Sequence, residues 1–372
     1  MKSYTESDLK LVVNGASFLA SGGGGSVAAA NNVVKNIIGF ASSVDVITVD
    51  ELDDSDNLMM ICGVGAPDAK NMNFEDSPGY AFDLLQAMTG HKYHGIFPIE
   101  VGAMNSVIPM LACAQRGMPI VDGDGAGRSV PQMDMCTYAE KNFTCSNTIV
   151  VSEERKSFPL HPQNAQQLES QVRNVVSTEL HDIGTTGTWT VTGADMKQPG
   201  AIVAGSLSLA REIGVAMASD QPLNNVSMLL NDFYPSSSVL AKKATVIDCT
   251  NTVQDGFDVG SINLQDADDA NRTIKIFFVN ESLLAAVYEQ GELSSVMMGP
   301  DMICCMGVDG QPMTNSEIAN DYEQGKDVSI SLVWVEAVKA IRTPEMWAQY
   351  IELILEKFGE EAQPMVDKMR GS

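Results

Sequence analysis

Between Glu100 and Met135 the sequence EVGAMNSVIPMLACAQRGMPIVDGDGAGRSVPQMDM sets a helical period directly against a short apolar run. Val107, Ile108, Leu111, Ala112 and Ala114 recur at helical spacing between Asn105 and Gly117, with Gly117 placed as C-cap and Pro119 just beyond. Met118 to Val121 then reads as a buried strand that stops where Asp122, Asp124, three glycines and Arg128 crowd into one turn. Glu100 closes an earlier apolar run, GIFPI. If both runs are parallel strands joined by the helix, Glu100, Asp122 and Asp124 reach one rim of the sheet, where open α/β sheets bind ligands. The expectation is three candidate catalytic carboxylates facing one crevice.

Three chemistries are open to those acids. Asp122-x-Asp124 begins like an EF-hand loop, but Ala126 stands at the next ligand position and Met133 where a bidentate glutamate belongs, which excludes that motif. A divalent metal ion held by Glu100, Asp122 and Asp124 together is one alternative, and acid/base work by one of them is another. The third is structural, with Asp122 and Asp124 binding Arg128 and the turn's own amides.

Length allows two domains: the chain has 372 residues and is 44% hydrophobic, which gives it ample core. Its net charge of -25 repels phosphate backbones and anionic lipid, so neither a nucleic acid nor a membrane is the expected partner. Seven cysteines, with no CxxC pair and several in apolar runs, fit a reduced compartment. The polar start MKSYTESDLK does not read as a signal peptide, and the expected location is cytoplasmic.

Along the chain, Thr5 or Ser7 begins a helix with Leu9, Val12, Val13 and Leu19 on its apolar face, and a second helix starts at Ser26. Between them SGGGGS frees backbone amides at a helix N-terminus, which makes Gly23 and Gly24 candidate ligand contacts; the alternative is a tight helix-to-helix turn. A helix precedes this loop and no lysine follows it, which argues against a nucleotide triphosphate site. DVITVD and LMMICGVGAP read as strands, and the turn with Gly63, Gly65 and Pro67 is expected to border the crevice. His91 and His94 sit between glycines, where loop packing outweighs a metal role. Cys113 and Cys136 have apolar neighbours and read as core.

The polar stretch from Ser152 to Leu180 reads as linker and then helix, dividing an N-terminal α/β domain, residues 1–165, from a C-terminal domain, residues 166–372. The strand-like run GTWTVTG, residues 187–193, and the apolar helix Ala201 to Met217 are expected to pack back on the first domain. Short punctuated runs from about 244 to 340 make the second domain β-rich, and an amphipathic helix follows from Pro344 to Phe358. Asn280 and Glu281 end the run TIKIFFV, where Asn280 reads as a helix cap or the pair as substrate contacts across a domain interface.

The order of these features resembles the family named for S-methyl thiohydantoin desulfurase. Glu100, Gly102, Asn105, Pro109, Asp122, Asp124, Gly125, Gly127, Arg128 and Pro131 fall on its signature, while Ala103, Gly123, Ala126 and Gln132 depart from it. TGADMKQPGAIVAGSLSLAREIG, Asn280-Glu281 and Gly299-Pro300-Asp301 extend the likeness over most of the chain. The resemblance implies a two-domain protein found with hydantoinase and oxoprolinase systems, acting by hydrolysis on a small five-membered cyclic amide or thioamide. Under that scheme Glu100 or one aspartate activates water, while Asn105, Arg128, the glycine-loop amides and the Asn280–Glu281 pair hold substrate. The rival expectation is a non-catalytic accessory or ligand-binding subunit. Expected partners are a small-molecule substrate and either a second copy or a hydantoinase-type protein.

Overall fold

The computed structural model describes residues 2–65, 73–180, 183–234, 236–254 and 257–371. Pro67, expected to border the crevice, lies outside them. The first sheet runs Lys2–Thr5, Ser43–Ile47, Ile120–Val121, Gly95–Phe97, Asn57–Gly65, Ile183–Thr192, Thr148–Val151 and Ser157–Leu160. Its four strands from Ser43–Ile47 to Asn57–Gly65 are parallel, and the flanking pairs are antiparallel. The helix Ala103–Arg116 makes the crossover between Gly95–Phe97 and Ile120–Val121 and ends at Gly117, whose φ of 64° is the left-handed cap that glycine allows. The parallel pairing therefore does bring the chain after Phe97 and the chain after Val121 to one rim.

One reading needs correction. The polar segment after Ser152 is not a linker: Ser157–Leu160 pairs with Thr148–Val151 as an edge hairpin before the helix Ala165–Glu179. Past residue 166, Ile183–Thr192 adds antiparallel to Asn57–Gly65 and completes the first sheet. The helix Ser206–Met217 then crosses Glu6–Leu19 at close range. Their contact is made through glycine: a Cβ on Gly15 would overlap the Ala210 carbonyl, and one on Gly214 the Leu11 carbonyl.

The second domain is a seven-stranded, wholly antiparallel sheet that curls into a half-barrel, in the order Glu292–Met298, Glu281–Glu289, Arg272–Val279, Phe257–Asp266, Ser237–Gln254, Ser329–Val335, Met302–Gly307. The terminal helix continues beyond Phe358, spanning Pro344–Gly371 with a break at Gly359. It buries Met346, Tyr350, Leu353 and Ile354, then Met365 and Val366, against Phe277, Leu284 and Met298 of its own sheet. Among the described residues no helix is long and apolar enough to cross a membrane.

The glycine crossing makes a direct test. Gly15→Ala should lower the unfolding free energy by about 1–3 kcal/mol through overpacking. Gly39→Ala, in the helix Val27–Phe40 with nothing within 4 Å of the added carbon, should raise it by up to about 1 kcal/mol. Urea midpoints at unchanged slope measure both.

Candidate active site

A cavity of about 90 Å³ opens where the rim of the first sheet meets the second domain. That is room for a few waters or one small ring. Its wall combines Val64, Phe74, Ile99, Met104, Ile108 and Met133 with Glu100, Asn105, Asn280, Glu281 and Arg173, and with Gly24, Gly25 and Cys62.

Glu100 sits three residues past the strand Gly95–Phe97 and is 6% exposed. Asn105, in the first turn of the following helix, donates from Nδ2 to Glu100 Oε1 at 2.8 Å and accepts the Gly63 amide on Oδ1 at 2.8 Å. The Val130 amide donates to Glu100 Oε2 at 2.6 Å. Asn105 thus ties the end of one strand to the acid that follows another. Burial nonetheless pushes the Glu100 carboxyl up to about 7; its two donors and the charge of Arg128 oppose the rise, and that of Asp124 adds to it.

Glu281 comes from the other domain. Asn280 is not a helix cap: it is the tight turn between Arg272–Val279 and Glu281–Glu289, with φ of 55°, a conformation that asparagine tolerates. Its amide donates to Asp258 O at 2.7 Å and its Oδ1 accepts the Asp258 amide at 2.9 Å, so the turn is clamped to the neighbouring strand. Glu281, 3% exposed, is delivered against the glycine loop, where a Cβ on Gly23 would overlap its Oε1. Burial first, and the Glu100 charge next, push its carboxyl up to about 8.

The other expected residues lie elsewhere. Asp122 accepts the Ser208 amide at 3.0 Å and the Ser208 hydroxyl at 2.5 Å, capping the helix Ser206–Met217, whose own N-cap, Gly205, has no side chain to do so. Asp124, 0% exposed, binds the Ala126 and Gly127 amides through Oδ2 at 2.9 and 2.7 Å and staples its own turn; burial pushes it up to about 6. Neither lines the cavity. The three carboxylates reach one rim but turn to different donors, so they form no shared metal centre. Among the described residues no group of three or more His, Cys, Asp or Glu is placed to hold a metal ion.

Arg128 is also absent from the cavity wall. It is 0% exposed and donates to the carbonyls of Ser129, Pro300 and Asp301. Gly24 lines the cavity, while Gly23 packs on Glu281. His94 lies in an exposed loop, with Nδ1 accepting the Asn57 amide at 3.2 Å. Cys113 and Cys136 are buried, and burial pushes the Cys136 thiol up to about 12. Two wall residues with reactive or charged side chains, Cys62 and Arg173, were not singled out from the sequence. Cys62 falls inside an apolar strand whose thiol burial pushes far above its ordinary range. Arg173 lies in a polar helix and is held by Glu169 and by the Pro131 carbonyl.

The geometry defines a two-domain protein, α/β and antiparallel β, with a glutamate from each domain in one small cavity. Models of the S-Me-THD-like N-terminal and C-terminal domains match residues 7–161 and 163–348, and the chain belongs to that family. Its fold is similar to that of a crystal structure of a protein from Chromobacterium violaceum, with a TM-score of 0.80 and 22% identity over 96% of this chain and 97% of that one. No curated protein matches the chain.

Both cavity glutamates hold their protons more tightly in the folded chain than their ordinary value of 4.5. The stability they contribute is therefore complete below that value and is lost as pH rises through about 7 to 8. Glu281→Gln should flatten the decline in unfolding free energy across that window, read from urea titrations at each pH; an unchanged slope would exclude the raised carboxyl.

Proposed function

We propose that the chain is a hydrolase of a small five-membered cyclic thioamide or amide, of the thiohydantoin desulfurase kind, with Glu100 and Glu281 as its acid and base. The observation that carries this reading is that glutamates from both domains line one cavity and hold protons into the neutral range. Two interacting carboxyls of that kind share a proton near neutrality, which leaves one ready to donate and one ready to accept. Membership of the S-Me-THD-like family supports the substrate class.

For a ring carbon bearing a methylthio group and doubly bonded to nitrogen, the steps balance as follows. The ionised glutamate takes a proton from water while the water oxygen bonds to that carbon, and the protonated glutamate gives its proton to the ring nitrogen. The tetrahedral carbon then expels sulfur, its new hydroxyl proton passes to the glutamate that protonated the ring nitrogen, and the departing thiolate takes the proton the other glutamate drew from water and leaves as methanethiol. The ring is left with a carbonyl and an N–H. Glu100, whose oxygens are fixed by Asn105 and Val130, is the better oriented base. Glu281, with the higher proton affinity, is the acid. Asn105, Asn280 and the Gly24–Gly25 backbone offer the wall its neutral polar groups, and Met104, Ile108 and Phe74 keep it apolar.

Turnover should be assayed as methanethiol, sulfide or ring-product release from a panel of S-methyl thiohydantoins, thiohydantoins and hydantoins. Glu100→Gln and Glu281→Gln are each expected to lower kcat by about 100- to 10,000-fold. Asp122→Asn should act mainly on stability, through the helix that it caps. Full turnover in both glutamine variants would overturn the assignment of the acid and base, and no product from any ring in the panel would overturn the reaction.

A further inference from the structure

Three polar atoms near the domain seam are buried and have no hydrogen-bond partner among the described residues: Arg128 Nη2, Glu281 Oε2 and Tyr350 Oη. They come from the aspartate loop, the tight turn of the second sheet and the terminal helix. Arg128 spends Nε on the Ser129 carbonyl at 2.7 Å and Nη1 on the Pro300 and Asp301 carbonyls at 3.1 and 2.8 Å, which leaves Nη2 as its one uncommitted nitrogen. Its guanidinium carbon lies 5.5 Å from the centre of the Tyr350 ring. Tyr350 is held there by Gly299, where an added Cβ would overlap the ring. Arg128 and Glu281 exert the largest charge effects on the Tyr350 hydroxyl, ahead of Glu100 and Asp301.

An orphaned donor, an orphaned carboxylate oxygen and a hydroxyl that can act either way are the partner set of one buried water, which makes about three hydrogen bonds. Leaving all three unpaired would carry the full desolvation penalty of each.

We propose that Arg128, Tyr350 and Glu281 together hold one ordered water at the seam between the domains, and that Arg128 acts through it as a positioning residue for Glu281 rather than as a substrate contact. The water accepts from Arg128 Nη2, donates to Glu281 Oε2 and exchanges a hydrogen bond with Tyr350 Oη. It fixes one carboxyl oxygen, Oε2, while Gly23 packs closely against the other, Oε1. The charges that bear on Glu281 are Glu100 and Arg128; Arg128 favours the ionised form, and the Glu100 charge opposes it. The water site stands on the three atoms alone. Its role in proton transfer rests on the hydrolase reading above.

Two measurements without substrate test it. A high-resolution crystal structure of the whole chain should show one oxygen at about 2.7–3.2 Å from all three atoms. Direct pairing among the three, or no ordered oxygen between them, overturns the site. In the second, carboxyl titration by carbon-13 glutamate NMR follows Glu281, assigned by its loss in Glu281→Gln. Tyr350→Phe and Arg128→Lys, which each remove one arm of the cluster, should each raise its midpoint by up to about one pH unit. The phenylalanine variant keeps the ring and serves if the lysine variant fails to fold. An unmoved midpoint in Tyr350→Phe overturns the positioning role. Neither readout depends on turnover, so a bridging water without any ring hydrolysis would sink the reaction and leave this site standing.

Discussion

A guanidinium with no exposure is the constraint on which the arrangement of the two domains rests. Taking such a cation out of water costs several kcal/mol unless its donors are met. Arg128 meets those on Nε and Nη1 with Ser129 from its own loop and with Pro300 and Asp301 from the second domain. Separating the domains would strip two of those carbonyls and leave a buried ion half-satisfied, so docking and ion solvation are one event. The same charge reaches Glu100 and Glu281 and favours their ionised forms, opposing the burial that raises both.

The glycine loop is explained by the same packing. Gly22, Gly24 and Gly25 have φ of 85, 74 and 80°, and the space around them is taken: Asn315 crowds Gly22, Glu281 crowds Gly23, and Ser129 and Gly102 crowd Gly24. Met104 donates its amide to the Gly24 carbonyl at 3.0 Å. The loop is therefore a junction at which the first helix, the Glu100 segment and the second domain approach one another backbone to backbone. It is the tight turn open in the sequence, with Gly24 and Gly25 lining the cavity and Gly23 making room for Glu281.

What could be read in advance followed from local rules. The capped helix Ala103–Arg116, the strand after it and the helices either side of SGGGGS are set by period, caps and glycine. The rim position of Glu100 followed from that local unit, and Glu281 was noticed at the end of its strand. Side-chain direction was not legible. Asp122 turned to a helix whose N-terminus arrives from residue 206, and only the fold brings the two together. The helix Pro222–Phe233 passed unread because Asn224, Asn225, Asn231 and Asp232 dilute an apolar face that buries Val226 and Leu230. The strand Glu281–Glu289 is buried on both faces and so lacks alternation, although Gln290 and Gly291, both at positive φ, mark a two-residue hairpin that turn chemistry could have flagged. Arg173 was invisible for a different reason: it lies on a Gln-rich helix whose apolar face, with Leu168, Val172, Val175 and Val176, packs elsewhere, and its guanidinium lies over Phe257 of the other domain.

The pairing of one acid from each domain also bears on how a small cavity can select its guest. A ring that fits a space lined by Phe74, Met104 and Ile108 gains little from shape, because a methylene more or less changes binding only modestly. Discrimination must come from the polar atoms. Glu100 is locked by Asn105 and Val130 and cannot swing to meet a misplaced guest, whereas Glu281 rides on a turn clamped to Asp258. A ring presenting an acceptor to one glutamate and an electrophilic carbon to the other satisfies both; a ring lacking either leaves a buried carboxyl unpaired, which is the costlier error. Fixing the two acids on separate domains makes their spacing a property of the docked seam, so under the proposed hydrolase reading the groups that hold the domains together would also set which ring is accepted.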